Sequence, residues 1–272
     1  MNKYRLYTTD KFLGKNANIS IESKTINKMS CTHCHEFFEI EVVLDGYGTE
    51  ILNGNKYEFK KGYLCLMSPI DFHSIVTEKD TTIYNIMFSE SLLSRELLYA
   101  ISKRNKDNNL YLDEEELDMV SSLCKLAENE YLKTNEYKND FLRNLMECLL
   151  IIILRKLNID NTSKNISDPI QNAILYIKMH FRENPSLKNV ADYCGFNQNY
   201  FSQRFSETMK KTYSEYLTEL KISYAKKLLS SSNMNITEIC FSSGFNSVSN
   251  FMRVFRKTYG TSPALYRKQL YT

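Results

Sequence analysis

The sequence predicts a multi-domain α+β protein: an N-terminal β-barrel or sandwich with helices after it, then an all-α domain containing two helix-turn-helix units. Three observations carry that expectation. Between Ile19 and Phe88 apolar residues recur at period two in short runs broken by turn signals. Beyond Ser89 the apolar spacing becomes three-to-four. The charge also divides: residues 1–164 hold 21 Lys and Arg against 25 Asp and Glu, a net of −4, while residues 165–272 hold 14 against 7, a net of +7. The overall +3 therefore hides an acidic front and a basic back, and a basic domain suits an anionic partner such as nucleic acid.

Composition narrows the class further. With 43% hydrophobic and 25% charged residues, the chain has enough apolar material for a core and is not a disordered polymer. Its longest fully apolar run, Cys148–Leu154, is far short of the roughly 20 residues that cross a bilayer as a helix. The start, MNKYRLYTTDKF, shows no apolar stretch after its lysine and so no secretory signal. A cytoplasmic location with no membrane partner is expected. The seven cysteines (31, 34, 65, 124, 148, 194 and 240) are odd in number and mostly lie in apolar periodic segments, which reads as reduced thiols rather than a disulfide framework.

The first domain, placed at residues 1–95, opens its clearest strand at Phe38, Ile40, Val42 and Leu44. Asp45-Gly46 offers a turn, and Thr49–Leu52 runs into Asn53-Gly54, a strong hairpin signal, with Tyr57 and Phe59 beyond it. Gly62 interrupts, Tyr63–Met67 is a short apolar strand, Ser68-Pro69 turns again, and Ile83–Phe88 is another strand. Helical periodicity follows in residues 96–157. Asp113 with Glu114–Glu116 makes an acidic helix start, favourable at the positive end of the helix dipole. Leu117, Val120, Leu123 and Ala127 mark one face of that helix, and Phe141, Leu145, Leu149 and Ile152 mark a face of the next. These helices either pack back on the β-domain or pair across a homodimer interface. Residues 158–167 (NIDNTSKNIS) are polar and aperiodic and read as a linker. Asp168-Pro169 then opens the last domain, 168–272, as N-cap and first helical residue.

That domain repeats itself. Leu187–Asn197 reads LKNVADYCGFN and Ile236–Asn246 reads ITEICFSSGFN, an offset of 49 residues. In each, an apolar residue opens a short helix, another follows (Val190, Ile239), a small residue comes next (Ala191, Cys240), and a Gly-Phe-Asn turn leads to a second helix with paired aromatics (Phe201 and Phe205; Phe251 and Phe255). Gly195 and Gly244 supply the positive φ of a sharp turn, and Asn197 and Asn246 are expected to cap the second helices. Between the copies, Tyr216, Leu217, Leu220, Tyr224 and Leu228 form one stripe of a connecting helix that can hold both units for successive turns of a major groove, about 34 Å apart.

From about residue 168 to 272 the chain resembles the DNA-binding domain of AraC/XylS-type transcription regulators. The best match is ITEICFSSGFNSVSNFMRVFRKTYGTSPALYRK, with its Gly-Phe, its Phe-x-x-x-Phe-Arg-Lys and its Gly260-Thr261-Ser262-Pro263 before Tyr266-Arg267. The resemblance implies that each second helix presents its early residues to base edges of double-stranded DNA: Gln198, Asn199, Ser202 and Gln203 in the first, Ser247, Ser249, Asn250 and Arg253 in the second. The chemistry agrees, since Asn and Gln pair adenine bidentately, Arg pairs guanine and Ser is permissive. Arg204, Lys210, Lys211, Arg256 and Lys257 are the expected phosphate contacts, which add salt-dependent affinity without sequence information.

The front domain carries its own motif. His33-Cys34-His35, three residues, Glu39, six residues and Gly46 resemble the first signature of the cupin fold. Gly62, Pro69 and His73 resemble the second, although the Pro-to-His spacing is one shorter and no Gly stands between them. The resemblance implies a cupin-like effector pocket around His33, His35, Glu39 and His73, with the same four as ligands if a transition metal is bound. In a continuous strand residues 33, 35 and 39 would share a face by parity. The opposing expectation is an organic effector held by these side chains as hydrogen-bond partners. Cys31-Thr32-His33-Cys34-His35 also spells the haem c attachment string, but that chemistry belongs to exported proteins; a redox pair at Cys31 and Cys34 is a minority alternative.

Together these features point to a ligand-responsive, sequence-specific regulator rather than an enzyme, with no catalytic residues. Family analogy implies a sugar or other small metabolite as effector, activation rather than repression as output, a homodimer, and RNA polymerase as the partner of an activator. The alternative is a metal-dependent cupin enzyme with an appended helical domain.

Overall fold

The computed structural model describes residues 5–13, 18–27, 30–102, 108–157 and 169–270. They form two compact units, one within residues 5–162 and one within 163–272. The stretch read as a linker, 158–167, and the expected cap Asp168 lie outside the described residues.

The first unit runs β1 (Arg5–Tyr7), α1 (Thr9–Phe12), β2 (Ile19–Ile26), β3 (His33–His35), β4 (Phe38–Asp45), β5 (Tyr47–Leu52), β6 (Asn55–Lys60), β7 (Tyr63–Met67), β8 (Phe72–Thr77) and β9 (Thr81–Phe88). It continues with α2 (Arg95–Ser102), β10 (Asn108–Tyr111), α3 (Glu114–Tyr131) and α4 (Lys138–Lys156). Ten strands make two five-stranded sheets, β1-β3-β8-β5-β6 and β10-β7-β4-β9-β2, antiparallel except for the β1–β3 pair. The Asn53-Gly54 hairpin forms as its sequence demands: both residues take positive φ (51° and 89°), the geometry of a type I′ turn matched to strand twist.

Register shows why β4 is buried on both faces from Phe38 to Val43. One parity (Phe38, Ile40, Val42) lies alongside Leu64 and Leu66 of β7 and Tyr84, Ile86 and Phe88 of β9. Helix α3 covers this side: β2 packs against it, the Ser23 amide donates to Glu128 Oε1 at 2.9 Å, and Tyr84 feels Glu128 and Cys124. The other parity (Glu39, Glu41, Val43) looks into the sandwich. Its apolar floor is Val43, Leu52, Phe59, Tyr63, Cys65, Met67, Ile75 and Ile83.

Two details differ from expectation. Residues 96–157 are not purely helical, because β10 extends the second sheet beside β7. Its sequence, NNLY, has no alternation, and pairing with an exposed sheet edge rather than propensity makes it a strand. On α4 the buried stripe is Leu142, Met146, Leu149, Leu150, Ile153 and Leu154. That is one position on from the expected face and leaves Phe141 exposed and Leu145 and Ile152 half-buried. The acidic start of α3 is a full capping box: Asp113 Oδ1 accepts from the Glu116 amide and Glu116 Oε2 accepts from the Asp113 amide, each at 2.9 Å.

The second unit is all helical: α5 (Pro169–His180), a short 3₁₀ turn at Phe181–Glu183, α6 (Leu187–Tyr193), α7 (Gln198–Met209), α8 (Tyr213–Ser231), α9 (Ile236–Ser242), α10 (Val248–Tyr259) and α11 (Pro263–Leu270). Val190, Ala191, Phe201 and Phe205 pack with Ile170, Ala173, Ile177 of α5 and Tyr216 of α8. Ile239, Cys240, Phe251 and Phe255 are the equivalent buried set of the second copy, with Phe255 edge-on to Tyr266 of α11 at 5.6 Å. Helix α8 serves both copies. Its start carries Tyr216, and near its end the Leu229 carbonyl accepts from Arg267 Nε at 3.2 Å. His180 stacks on Tyr176 (4.4 Å between centroids) and meets Glu183 Oε1 at 2.9 Å.

Candidate functional site

The four pocket candidates converge, but not through one strand. The chain bends at Glu36-Phe37, so His33 and His35 belong to β3 of the first sheet and Glu39 to β4 of the second. Face parity along a continuous strand therefore does not apply; the residues meet because the two sheets face each other. His33 pairs directly across from His73 on β8, their rings 4.2 Å apart, which puts both on the inner face of the first sheet. Glu39 reaches across from the second. Its Oε2 lies 3.2 Å from His35 Nε2 and 3.3 Å from His73 Nε2.

Local bonds aim these rings. His33 Nδ1 lies 2.9 Å from the Cys31 carbonyl and His35 Nδ1 lies 2.5 Å from the Phe37 carbonyl, so each Nδ1–H donates to backbone and Nε2 is turned inward. Burial, followed by the neighbouring His73, pushes the His33 pKa down to about 3, which keeps that ring neutral near pH 7. Burial opposes charge on Glu39 and on His73, yet their mutual contacts outweigh it. The His35 and His73 rings hold Glu39 well below the ordinary carboxylate range, and Glu39 and Glu50 hold His73 well above the ordinary imidazole range.

Motif reading missed the rest of the cluster. Glu41, two residues beyond Glu39 on the same inner parity, is buried, and burial with Glu39 close by pushes its pKa up to about 8. Asn85, opposite Glu41 on β9, donates to Glu39 Oε1 at 2.6 Å and to Glu41 Oε1 at 3.4 Å. Glu50 of β5 is fully buried; Tyr63 donates to its Oε2 at 2.6 Å, and its Oε1 lies 3.4 Å from His73 Nδ1. Parity from Glu39 was a usable signal for Glu41. None existed for Glu50, which comes from the other sheet.

Donor atoms of His33, Glu39 and His73 lie within 4.8 Å of one another, and His35 joins through Glu39. Four donors at about 2.0–2.1 Å around a tetrahedral ion would sit roughly 3.3 Å apart. The 3.2 and 3.3 Å separations at Glu39 Oε2 are of that order, but the donors that all converge within 4.8 Å are those of His33, Glu39 and His73, with His35 beside them at Glu39.

On the helical unit, Gln198, Asn199 and Gln203 are exposed and Ser202 half-buried along the first turns of α7; Ser249, Asn250 and Arg253 are exposed on α10. Arg253 Nη2 donates to Asn250 Oδ1 at 2.8 Å, and Gln203 Nε2 donates to Glu207 Oε1 at 2.9 Å. Ser247 is the N-cap of α10, its hydroxyl accepting from the Asn250 amide. Asn246, the expected cap, instead accepts from Asn184 Nδ2 at 3.1 Å, whereas Asn197 does cap α7 through the Tyr200 amide. The second turn holds one extra residue, so the helices of the two copies are offset by 49 before the turn and 50 after it. Arg204, Lys210, Arg256 and Lys257 are exposed. Lys211 is half-buried and already pairs with Glu219 at 2.6 Å.

None of the described cysteines forms a disulfide, and no helix among the described residues is long and apolar enough to cross a membrane.

Two family models match this chain: an AraC-like ligand binding domain over residues 27–146 and a helix-turn-helix domain over residues 190–269. The HTH-type transcriptional activator RhaS of Escherichia fergusonii is 24% identical over 270 residues, covering 97% of each chain. RhaS of Escherichia coli O81 is 22% identical over 264 residues, covering 95% of each. Among solved structures, ToxT from Vibrio cholerae aligns over 94% of this chain and all of that one, at 17% identity and a TM-score of 0.41. The C-terminal domain of AraT, a response regulator from Geobacillus stearothermophilus, covers 39% of this chain and 88% of that one, at 27% identity and a TM-score of 0.37.

Proposed function

Because the chain belongs to the AraC family of ligand-responsive DNA-binding transcription regulators, with an AraC-like ligand-binding domain ahead of its helix-turn-helix domain, we propose that its effector is a small polar metabolite, a sugar or a relative of one, held inside the β-sandwich. The observation that carries this is the buried polar end of the sandwich: His33, His35, Glu39, His73 and Asn85, with Glu41 and Glu50, present nitrogens and oxygens beside an apolar floor. Hydroxyl-rich ligands are recognised by such groups, because each buried donor or acceptor left unmatched costs about 1–3 kcal/mol. The His33, His35, Glu39 and His73 cluster, of which His33, Glu39 and His73 bring donor atoms within 4.8 Å of one another, is also our proposed site for one first-row transition ion, which when bound would supply a Lewis-acidic anchor for an effector oxygen. The same donors would suit a metal-dependent cupin enzyme; the duplicated helix-turn-helix behind them favours regulation.

At DNA, the exposed early residues of α7 and α10 read bases while Arg204, Lys210, Arg256 and Lys257 meet phosphates, with Lys211 joining only by leaving Glu219. Activation through contact with RNA polymerase, in the cytoplasm, is the output suggested by kinship with the RhaS activators. A homodimer forms, on this reading, through the stripe Phe141, Leu145, Cys148 and Ile152 of α4, which the monomer leaves partly uncovered. An effector shifts the regulator only by binding one of its states more tightly.

The test is fluorescence-anisotropy titration of the full chain on DNA from the promoters next to its gene, with and without candidate sugars and sugar acids. A true effector changes DNA affinity and, at 100 times its Kd, stabilises the chain by about 2.7 kcal/mol. Glu39→Gln should abolish that response while leaving ligand-free DNA binding intact. DNA binding that no metabolite alters would defeat the effector assignment.

A further inference from the structure

A second convergent set lies beside the first. One donor atom each from Glu41, Glu50 and His73 falls within 4.8 Å of the others, and all three side chains are buried. Only His73 is common to both sets, and it uses different atoms in each. Its Nε2 faces Glu39 Oε2 at 3.3 Å, and its Nδ1 faces Glu50 Oε1 at 3.4 Å. The two nitrogens of an imidazole point in diverging directions, so one ion cannot take both.

From this geometry we propose that Glu41, Glu50 and His73 Nδ1 hold a divalent first-row cation of their own, with the His73 ring as the bridge when the Nε2 side is also filled. Two carboxylates and an imidazole are a donor set suited to manganese, iron or zinc. Glu50 Oε1 and His73 Nδ1 are each buried, turned toward one another, and complete no hydrogen bond among the described residues. A buried acceptor and a ring nitrogen left so at 3.4 Å are what an ion between them would use.

The surroundings support the same assignment. Tyr63 fixes the far oxygen of Glu50 at 2.6 Å and itself receives Asn109 Nδ2 of β10 at 3.2 Å; Asn85 steadies Glu41. Such outer partners orient metal ligands. Among the described residues of the sandwich no Lys or Arg is buried, so offsetting the charge of these carboxylates falls to the histidine rings or to a bound ion. Binding displaces the protons on the ligating oxygens and on Nδ1 to solvent. The site goes beyond the regulator reading and does not depend on it, since it is read by ion binding and not by DNA affinity.

Equilibrium dialysis of the chelator-stripped full chain against Mn(II), and separately Zn(II), with the bound ion counted per chain, tests it. The proposal expects bound ion that persists in His33→Gln and is lost by one equivalent, or at least tenfold in affinity, in both Glu50→Gln and Glu41→Gln. Two carboxamide variants keep the test open if one fails to fold, as judged by its far-UV circular dichroism and melting without metal. A wild-type chain that binds neither ion, or folded Glu50→Gln and Glu41→Gln variants that bind as the wild type does, overturns the site while leaving the effector assay untouched.

Discussion

The two helix-turn-helix units share a sequence pattern yet are built to different tolerances. In the first, a Cβ added at Gly195 (φ 72°) would meet nothing within 4 Å; in the second, one added at Gly244 (φ 79°) would sit 2.8 Å from Arg182 Cα and 2.9 Å from its carbonyl oxygen. The second turn is also tied down. Asn184, itself left-handed (φ 57°), donates to the Gly244 carbonyl at 2.8 Å and to Asn246, and its oxygen accepts from Lys221 of α8. Helix α9 starts with a capping box at Asn235 and Glu238, whereas α6 has only the Ser186 cap. Charge follows the same division: α7 holds Arg204 and Glu207, while α10 holds Arg253, Arg256 and Lys257 with no acidic residue. A duplicated motif thus yields one anchored, cationic reader and one less constrained, nearly neutral reader.

The largest expected break in this contrast is at the turn glycines. Gly244→Ala should lower the opening free energy of α9 and α10 by about 3 kcal/mol, because positive φ and a backbone clash add, against about 1 kcal/mol for Gly195→Ala in its own unit. Hydrogen exchange of the helix amides measures both, and equal losses would erase the asymmetry. Next comes base reading: Arg253→Ala should cost about 1–3 kcal/mol at one operator position and relax sequence preference there. Gln203→Ala should cost less, since its amide is already engaged by Glu207. Binding measured on single-base operator variants separates the two, and a uniform loss across sequences would make Arg253 a phosphate contact.

Caps give a smaller contrast. Asn197→Ala should weaken the first turn of α7 by about 1 kcal/mol, and Ser247→Ala should do the same to α10. Asn246→Ala should leave the α10 start protected in hydrogen exchange and loosen the Asn184 contact instead. Smallest is the electrostatic difference. Replacing Arg256 or Lys257 by Gln should each reduce the log–log salt slope of DNA binding by about 1, and Lys211→Gln by less, because Glu219 already neutralises it.

The same tension between pattern and packing runs through the β-unit. Apolar alternation at Phe38, Ile40 and Val42 marked a strand, and its other parity would ordinarily be assigned to solvent. Here that parity is the sandwich interior, and the apolar parity lies on the side that α3 covers. Glu39 was reachable from its spacing to the two histidines, and Glu41 from Glu39. Glu50 was not, because a carboxylate on β5 meets His73 only once the two sheets face each other. Strand β10 escaped for a related reason: NNLY has no preference of its own and is fixed by the β7 edge.

By itself the sequence determined the division into a β-rich front and a helical back, the hairpin at Asn53-Gly54, the acidic start of α3 and the repeated turn. Each rests on local physics: side-chain period, the sign of φ a residue tolerates, and acidic charge at the positive end of a helix dipole. The tertiary structure alone decided which carboxylates share the buried cluster, which of two homologous asparagines caps a helix, and which stripe of α4 stays uncovered. Those outcomes depend on contacts between residues far apart in the chain, and no periodicity within a segment records what the opposite sheet or helix will present to it.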